Sequence, residues 1–307
     1  MTDIDFQKRL IAQIEREFNL KIVSTQLPSQ GMSSAVFFIK TAHDKEYAVK
    51  YGIDAMKDLP ALDLILRKHV EVLVPSVFCS FLFEDMPVVI LEKILFPLLE
   101  SVATDEISKY VPSMIENLRK LHTIKSTSPG LLTEPNSQKT WKEIMLDIFV
   151  GDEFDWQEIS QREGIDGDLI RTSVDRIIKK INNTEFIVGE YSLLHTDFNQ
   201  RNLFVNPGNY EIAGIIDWED AMYGDPIYDF ARVRMYLWHF NLDDQTTKEY
   251  YELMDFDPHQ KELEDLYWLS RVIQYLGWYS EELNEFTKGR IKLHQDYLQD
   301  YDWLKKF

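Results

Sequence analysis

One stretch constrains this chain more than any other. From Leu193 it reads L-L-H-T-D-F-N-Q-R-N-L-F-V, then a turn, then G-I-I-D-W-E-D-A-M-Y-G-D through Asp225. Leu193 and Leu194 run apolar into His195-Thr196-Asp197, and a polar turn ends at Asn202. Leu203-Phe204-Val205 reads as a short strand, Asn206-Pro207-Gly208-Asn209 as a turn, and Glu211–Ile216 as a second strand ending at Asp217. Asp197, Asn202 and Asp217 therefore leave apolar strands close together. Taken singly, each also fits an Asx turn. Taken in order, H-x-D-x-x-x-x-N followed by a strand-end Asp suits phosphoryl transfer. One carboxylate orients the attacking hydroxyl, while an amide oxygen and a second carboxylate suit a hard cation such as Mg²⁺.

The motifs H-T-D-F-N-Q-R-N and I-I-D-W-E-D-A-M-Y-G-D-P resemble those of the aminoglycoside phosphotransferase family, and D-W-E-D-A-M-Y-G-D is most similar to its hygromycin B phosphotransferase branch. Trp218 stands where protein kinases place the Phe of D-F-G, and no A-P-E follows, which points to a small-molecule kinase. The resemblance implies an α+β, bilobal protein-kinase-like fold. A small antiparallel β lobe over residues 1–94 would bind nucleotide. A larger, mainly helical lobe over 95–307 would carry catalysis and substrate. It implies ATP or GTP with Mg²⁺ as cofactors, Asp197 as the catalytic residue, and Asn202 and Asp217 as metal ligands. The implied acceptor is a hydroxyl of an aminoglycoside or aminocyclitol antibiotic, an activity that confers resistance. Similar signatures occur on kinases for macrolides, methylthioribose, choline and homoserine.

The upstream chain supplies the other half. Lys21–Leu27, Ala35–Lys40 and Glu46–Tyr51 read as a three-stranded meander. The loop holding Gly31, Ser33 and Ser34 offers backbone N–H groups to phosphate, though a plain hairpin loop fits equally well. Lys50 ends the third strand, where a kinase places the lysine that holds the α/β-phosphates. The family places a carboxylate partner for that lysine on the next helix, residues 54–69. No Glu occurs there, so Asp63 is the first candidate and Asp58 the second, with Pro60 disturbing the first turn. Ser76–Phe83 and Val88–Ile94 complete five antiparallel strands. Glu92, Lys93 and Ile94 then fall where a kinase hinge would offer backbone groups to the base.

Helical periodicity begins at Thr104 and buries Ile107, Val111, Met114, Ile115, Leu118 and Leu121. His122 resembles a family signature and is expected as a packed histidine bonded to a neighbouring loop. Helices are expected at 139–150, 166–182, after Asp225, and at roughly 259–283 and 285–305. Asp225 before Pro226 suits a helix cap, or a brace for the catalytic loop or Arg201. The resemblance implies that the insertion holding Asp152, Glu153 and Asp155 helps wall the substrate site, where they would contact an ammonium; a solvated acidic loop is the other reading of the same residues. Glu219 and Asp220 either meet a substrate ammonium or cap their turn.

Composition narrows the classes. A net charge of −19 disfavours nucleic acid and favours a cationic small-molecule substrate or mere solubility. No run of 18 apolar residues occurs, and the first residues lack the apolar core of a signal peptide. The single Cys79 cannot form an internal disulfide. The expectation is a cytoplasmic monomer or weak dimer. Other readings are a non-enzymatic nucleotide-binding protein, or a metal hydrolase using His195 and Asp197, which would not need Lys50.

Overall fold

An antiparallel sheet opens the chain. The computed structural model describes residues 4–27, 35–134, 138–151, 154–239 and 244–300. Helix α1 (Ile4–Phe18) precedes strands β1 (Ile22–Gln26), β2 (Ala35–Thr41) and β3 (Glu46–Tyr51). Helix α2 (Leu59–Arg67) leads to β4 (Val77–Phe83) and β5 (Met86–Glu92), and the sheet runs in the order β1-β2-β3-β5-β4. Beyond a 3₁₀ turn at Thr104–Tyr110 come α3 (Val111–Leu121), β6 (Lys125–Ser126), β7 (Gly130–Leu131), α4 (Trp141–Val150), α5 (Trp156–Ile159) and α6 (Gly167–Asn183). Four short strands follow, β8 (Tyr191–Leu194), β9 (Leu203–Asn206), β10 (Glu211–Ile215) and β11 (Met222–Gly224). Helices α7 (Ile227–His239), α8 (Asp244–Met254), α9 (Pro258–Tyr279) and α10 (Glu285–Asp300) close the described chain. Among the described residues, no helix is long and apolar enough to cross a membrane.

The contacts divide the chain into two compact units, which are not two consecutive blocks. Met1–Ala103 joins with Gln200–Ala221, and Thr104–Asn199 joins with Met222–Phe307. In the first unit α1 buries Leu10 and Ile14 against Phe37, Ile39, Tyr47, Val49 and Tyr51. Side chains alternate across a strand, so Lys50 emerges on the face opposite Val49 and Tyr51. Its backbone pairs with Val36 on one side and Val89 on the other, which fixes its height in the sheet. The β9–β10 hairpin joins this unit through backbone bonds: Val205 N–H donates to Pro97 O at 2.9 Å and Ile215 N–H to Leu73 O at 2.8 Å. Burial pushes the Cys79 thiol up to about 11, which leaves it protonated and unreactive.

The second unit surrounds a sheet ordered β6-β8-β11-β7 with helices. Its core includes Trp141, Phe149, Ile170, Ile177, Leu194, Tyr267, Leu269 and Val272. Local signals set the ends. Thr140 and Glu143 form a capping box on α4, and Asp257 and Gln260 form another on α9. The helix expected from Thr104 begins as a 3₁₀ turn. Pro112 has no N–H to give the preceding turn, so α-geometry starts only at Val111. Strands β6, β7 and β11, two or three residues each, and helix α8 were not expected.

Gly224 on β11 lies against the ring of Trp141 and the side chain of Leu194, both buried, and a Cβ would overlap them. Gly289 on α10 has open space around it. Gly224→Ala should lower the unfolding free energy by about 1–3 kcal/mol through overpacking. Gly289→Ala should raise it by up to about 1 kcal/mol. Urea midpoints of the two variants check both signs.

Candidate active site

In the second unit the site is built from one face of α7. Asp229 and Arg232, three residues apart, lie on the same side of that helix. The buried Asp229 carboxylate accepts from His195 N–H at 2.9 Å and from Thr196 N–H at 2.8 Å. Arg232 Nε donates to Thr196 O at 2.7 Å, and its terminal nitrogen meets Asp197 Oδ1 at 2.8 Å. These bonds hold Thr196 at φ +69°, a conformation that β-branched residues rarely adopt. The strain turns the chain sharply after β8 and presents Asp197. Asn199 Nδ2 donates to Asp197 Oδ2 at 2.9 Å, and Asp197 N–H to His195 Nδ1 at 3.3 Å.

Burial works against charge on Asp197. The guanidinium of Arg232, with weaker help from His195, Arg271 and the Asn199 bond, outweighs it and holds the carboxyl below its ordinary value. Asp197 is therefore a carboxylate at neutral pH, ready to accept a proton or a hydrogen bond.

His122 is packed as expected, but it bonds helix α7 and not a loop. His122 Nε2 lies 3.1 Å from Asp229 Oδ2 and so bonds the residue that holds the loop. The brace considered for Asp225 belongs instead to Asp229, one turn on. Asp225 Oδ1 accepts from Ile227 N–H at 3.0 Å, capping α7, and Oδ2 accepts from the Tyr267 hydroxyl at 2.8 Å. Arg201 lies by Glu100, at 3.5 Å. Asp155 is exposed and caps α5, accepting from Gln157 and Glu158 N–H, both at 3.0 Å.

In the first unit Lys50 gathers carboxylates. Its Nζ lies 2.8 Å from Asp58 Oδ2, 3.4 Å from Glu219 Oε2 and 3.7 Å from Asp217 Oδ1. Burial opposes its charge, but Asp58, then Asp217 and Glu219, raise its pKa above the ordinary value. The expected partner Asp63 is thus corrected to Asp58. Helix α2 starts at Leu59, with Pro60 comfortable in its first turn, which leaves Asp58 at the cap. Asp58 makes no side-chain cap bond. It accepts from Lys50 through one oxygen and from Trp218 N–H, at 2.7 Å, through the other. Asp63 faces outward and pairs with Arg67. The second bond of Asp58 secures the turn at Asp217, itself at φ +69°. Asn202 and Asp217 stand at the two ends of the β9–β10 hairpin, where Ile216 N–H donates to Asn202 O at 3.0 Å.

The remaining candidates divide. Glu219 turns to Lys50 and not outward to a substrate ammonium, whereas Asp220 is exposed. At the expected hinge, Glu92 N–H is committed to Ser76 O at 2.9 Å and Lys93 N–H to Glu46 O at 3.0 Å. The Lys93 ammonium meets Glu46 at 2.7 Å. Neither N–H is therefore left to offer to a base. Ile94 lies over Gly214, where any Cβ would press on its methyl end. Gly31, Ser33 and Ser34 fall outside the described residues, as do Asp152 and Glu153.

One ammonium facing three carboxylates leaves an excess of negative charge, and Asn202 and Asp217 offer hard oxygen donors. That combination fits a magnesium ion, which keeps phosphate and water oxygens as its other ligands. A strand-borne lysine with a cap carboxylate and a hairpin Asn and Asp in the first unit, and a loop Asp in the second, are each features of a phosphotransferase of kinase-like fold. Residues 24–262, more than half of the chain, match the family described as phosphotransferase enzyme family, and the chain belongs to it. The crystal structure of aminoglycoside phosphotransferase APH(4)-Ia superposes with a TM-score of 0.70 at 16% identity, over 94% of this chain and 98% of that one. Aminoglycoside phosphotransferase APH(2'')-Ib, ADP-bound, gives 0.61 at 18%, over 98% and 100%. A putative aminoglycoside phosphotransferase from Ralstonia eutropha gives 0.61 at 13%, over 97% and 98%. Related structures hold APH(4)-Ia with AMP-PNP and hygromycin B, and an APH(2") enzyme with GDP and kanamycin.

Two tests follow from this geometry. Asp58→Ala strips an acceptor from Lys50 and from Trp218 N–H and should cost roughly 1–3 kcal/mol. Asp63→Ala breaks an exposed pair four residues apart and should cost at most about 0.5 kcal/mol. Equal melting shifts for the two would refute the reassignment. For Asp197 the sign is that of a depressed carboxylate: its charged form persists as pH falls until the lowered value is crossed. Arg232→Met removes the main stabilising cation, so the acid limb of kcat/KM against pH should move to higher pH.

Proposed function

We propose that the chain transfers the γ-phosphoryl group of Mg-ATP, or Mg-GTP, to a hydroxyl of a small molecule. The observation that carries this reading is Lys50 clustered with Asp58, Asp217 and Glu219. The Asp197 carboxylate, fixed by Arg232 and Asn199, orients the acceptor hydroxyl and takes its proton. Lys50 holds the α/β-phosphates. Asn202 and Asp217 hold magnesium, which when bound neutralises phosphate charge. The new oxygen–phosphorus bond forms as the bond from γ-phosphorus to the bridging oxygen breaks, and the nucleoside diphosphate leaves.

Aminoglycosides and aminocyclitols of the hygromycin B type are the first acceptors to test. Proteins of the same fold were crystallised with such compounds, and the −19 net charge attracts cations. A kinase for another small alcohol is the second reading. It is favoured by the two guanidiniums, Arg232 and Arg271, that act on Asp197. The hydrolase reading is weakened because His195 Nδ1 already accepts from Asp197 N–H.

Asp197→Ala should lower turnover by about 10²- to 10⁴-fold while leaving Mg-nucleotide affinity intact. Lys50→Ala should weaken nucleotide affinity. Coupled nucleotide-consumption assays and isothermal titration separate the two effects. Wild-type turnover by Asp197→Ala would overturn the role assignment.

A further inference from the structure

Arg271 is a cation hydrogen-bonded to neutral groups. It sits on α9 with its guanidinium over the rings of Tyr228 and Trp278, 5.4 and 6.0 Å from their centroids. One terminal nitrogen donates to Gln274 Oε1 at 3.0 Å and the other to the Tyr228 hydroxyl. Its buried Nε–H meets no acceptor among the described residues. Among the described residues, no carboxylate lies within ion-pairing distance of it. The acidic group that it feels is Asp197, whose oxygen Arg232 already holds at 2.8 Å.

Holding a half-buried guanidinium beside a carboxylate that another arginine already pairs is costly, and such groups mark functional sites. Tyr228 and Arg232 are four residues apart on α7, so Arg271, through its bond to Tyr228, adjoins the side chain that fixes Asp197. A guanidinium presents five N–H donors in a planar fork matched to carboxylate and phosphate oxygens. The protein carries −19 overall, but distant charges are screened beyond about 8 Å at physiological salt. At contact the local guanidinium decides.

We propose that Arg271 recognises an anionic oxygen group, a carboxylate or phosphate monoester, on the acceptor whose hydroxyl Asp197 orients. The inference rests on the kinase reading and narrows its substrate class. It favours a small hydroxy acid or sugar phosphate over a polycationic antibiotic.

The first test is isothermal titration of the full chain, saturated with Mg-AMP-PNP, with inorganic phosphate and with acetate. At least one anion should bind, and Arg271→Met should weaken it about 10- to 100-fold, the worth of one charge-assisted hydrogen bond. Arg271→Lys should recover part of the loss, which separates lost charge from lost fold. The second test compares glycerol, glycerate, glycerol phosphate, kanamycin and hygromycin B as acceptors. Preference for glycerate marks a carboxylate and preference for glycerol phosphate a phosphate monoester. In either case Arg271→Met should raise KM far more than it lowers kcat. Anion binding absent, or unchanged in Arg271→Met, would overturn the subsite even if nucleotide binds. Failure of the wild-type chain to bind Mg-AMP-PNP at all would sink the kinase reading itself.

Discussion

Two successive backbone N–H groups, those of His195 and Thr196, converge on the Asp229 carboxylate, and the placement of Asp197 depends on that convergence. A left-handed conformation at a non-glycine residue costs roughly 1–3 kcal/mol. Hydrogen bonds to a charged group are worth about 1.5–3 kcal/mol each. Two of them, with a third from Arg232 to Thr196 O, exceed the strain. The first unit solves the same problem in the same way. Asp217 takes the same left-handed φ, and the carboxylate of Asp58 holds the next N–H. In each unit a buried carboxylate from a helix or its cap grips a turn, and the turn displays an acidic side chain.

The two turns sit in opposite electrostatic surroundings. Asp217 shares a single ammonium with two other carboxylates, an environment that welcomes further positive charge. Asp197 faces guanidinium groups that stabilise its ionised form. A carboxylate that must be ionised to hold and orient a hydroxyl benefits from the second environment, and a group that must ligate a cation benefits from the first. Identical side chains thus acquire different chemistry from their neighbours.

Much of this was legible in the sequence because it is local. The alternating strands around Lys50, the apolar entry to His195-Thr196-Asp197 and the hairpin ending at Asp217 each depend on residues within a few positions. What escaped depends on distant contacts. Asp58 and Asp63 look alike on paper; the choice is made by Trp218 N–H, 160 residues downstream. Asp229 reads as one more acid in D-P-I-Y-D-F-A-R, and only its bonds to residues 33 and 34 positions earlier reveal its part. Strands β6, β7 and β11 are too short to show a period, and their pairing is imposed by the surrounding sheet. For Pro112 the signal was present: it sits inside the expected helix and shifts the α-helical start to Val111.

The hairpin that belongs with the opening sheet arrives more than a hundred residues after that sheet ends, since Gln200–Ala221 completes a unit otherwise finished at Ala103. On the ribosome the early strands can pair at once, but Leu73 and Pro97 must wait for Ile215 and Val205 before their carbonyls gain these partners. The amino-terminal unit therefore cannot reach its final form until the chain has been made past Ile215, and no single cut in the chain would release it whole.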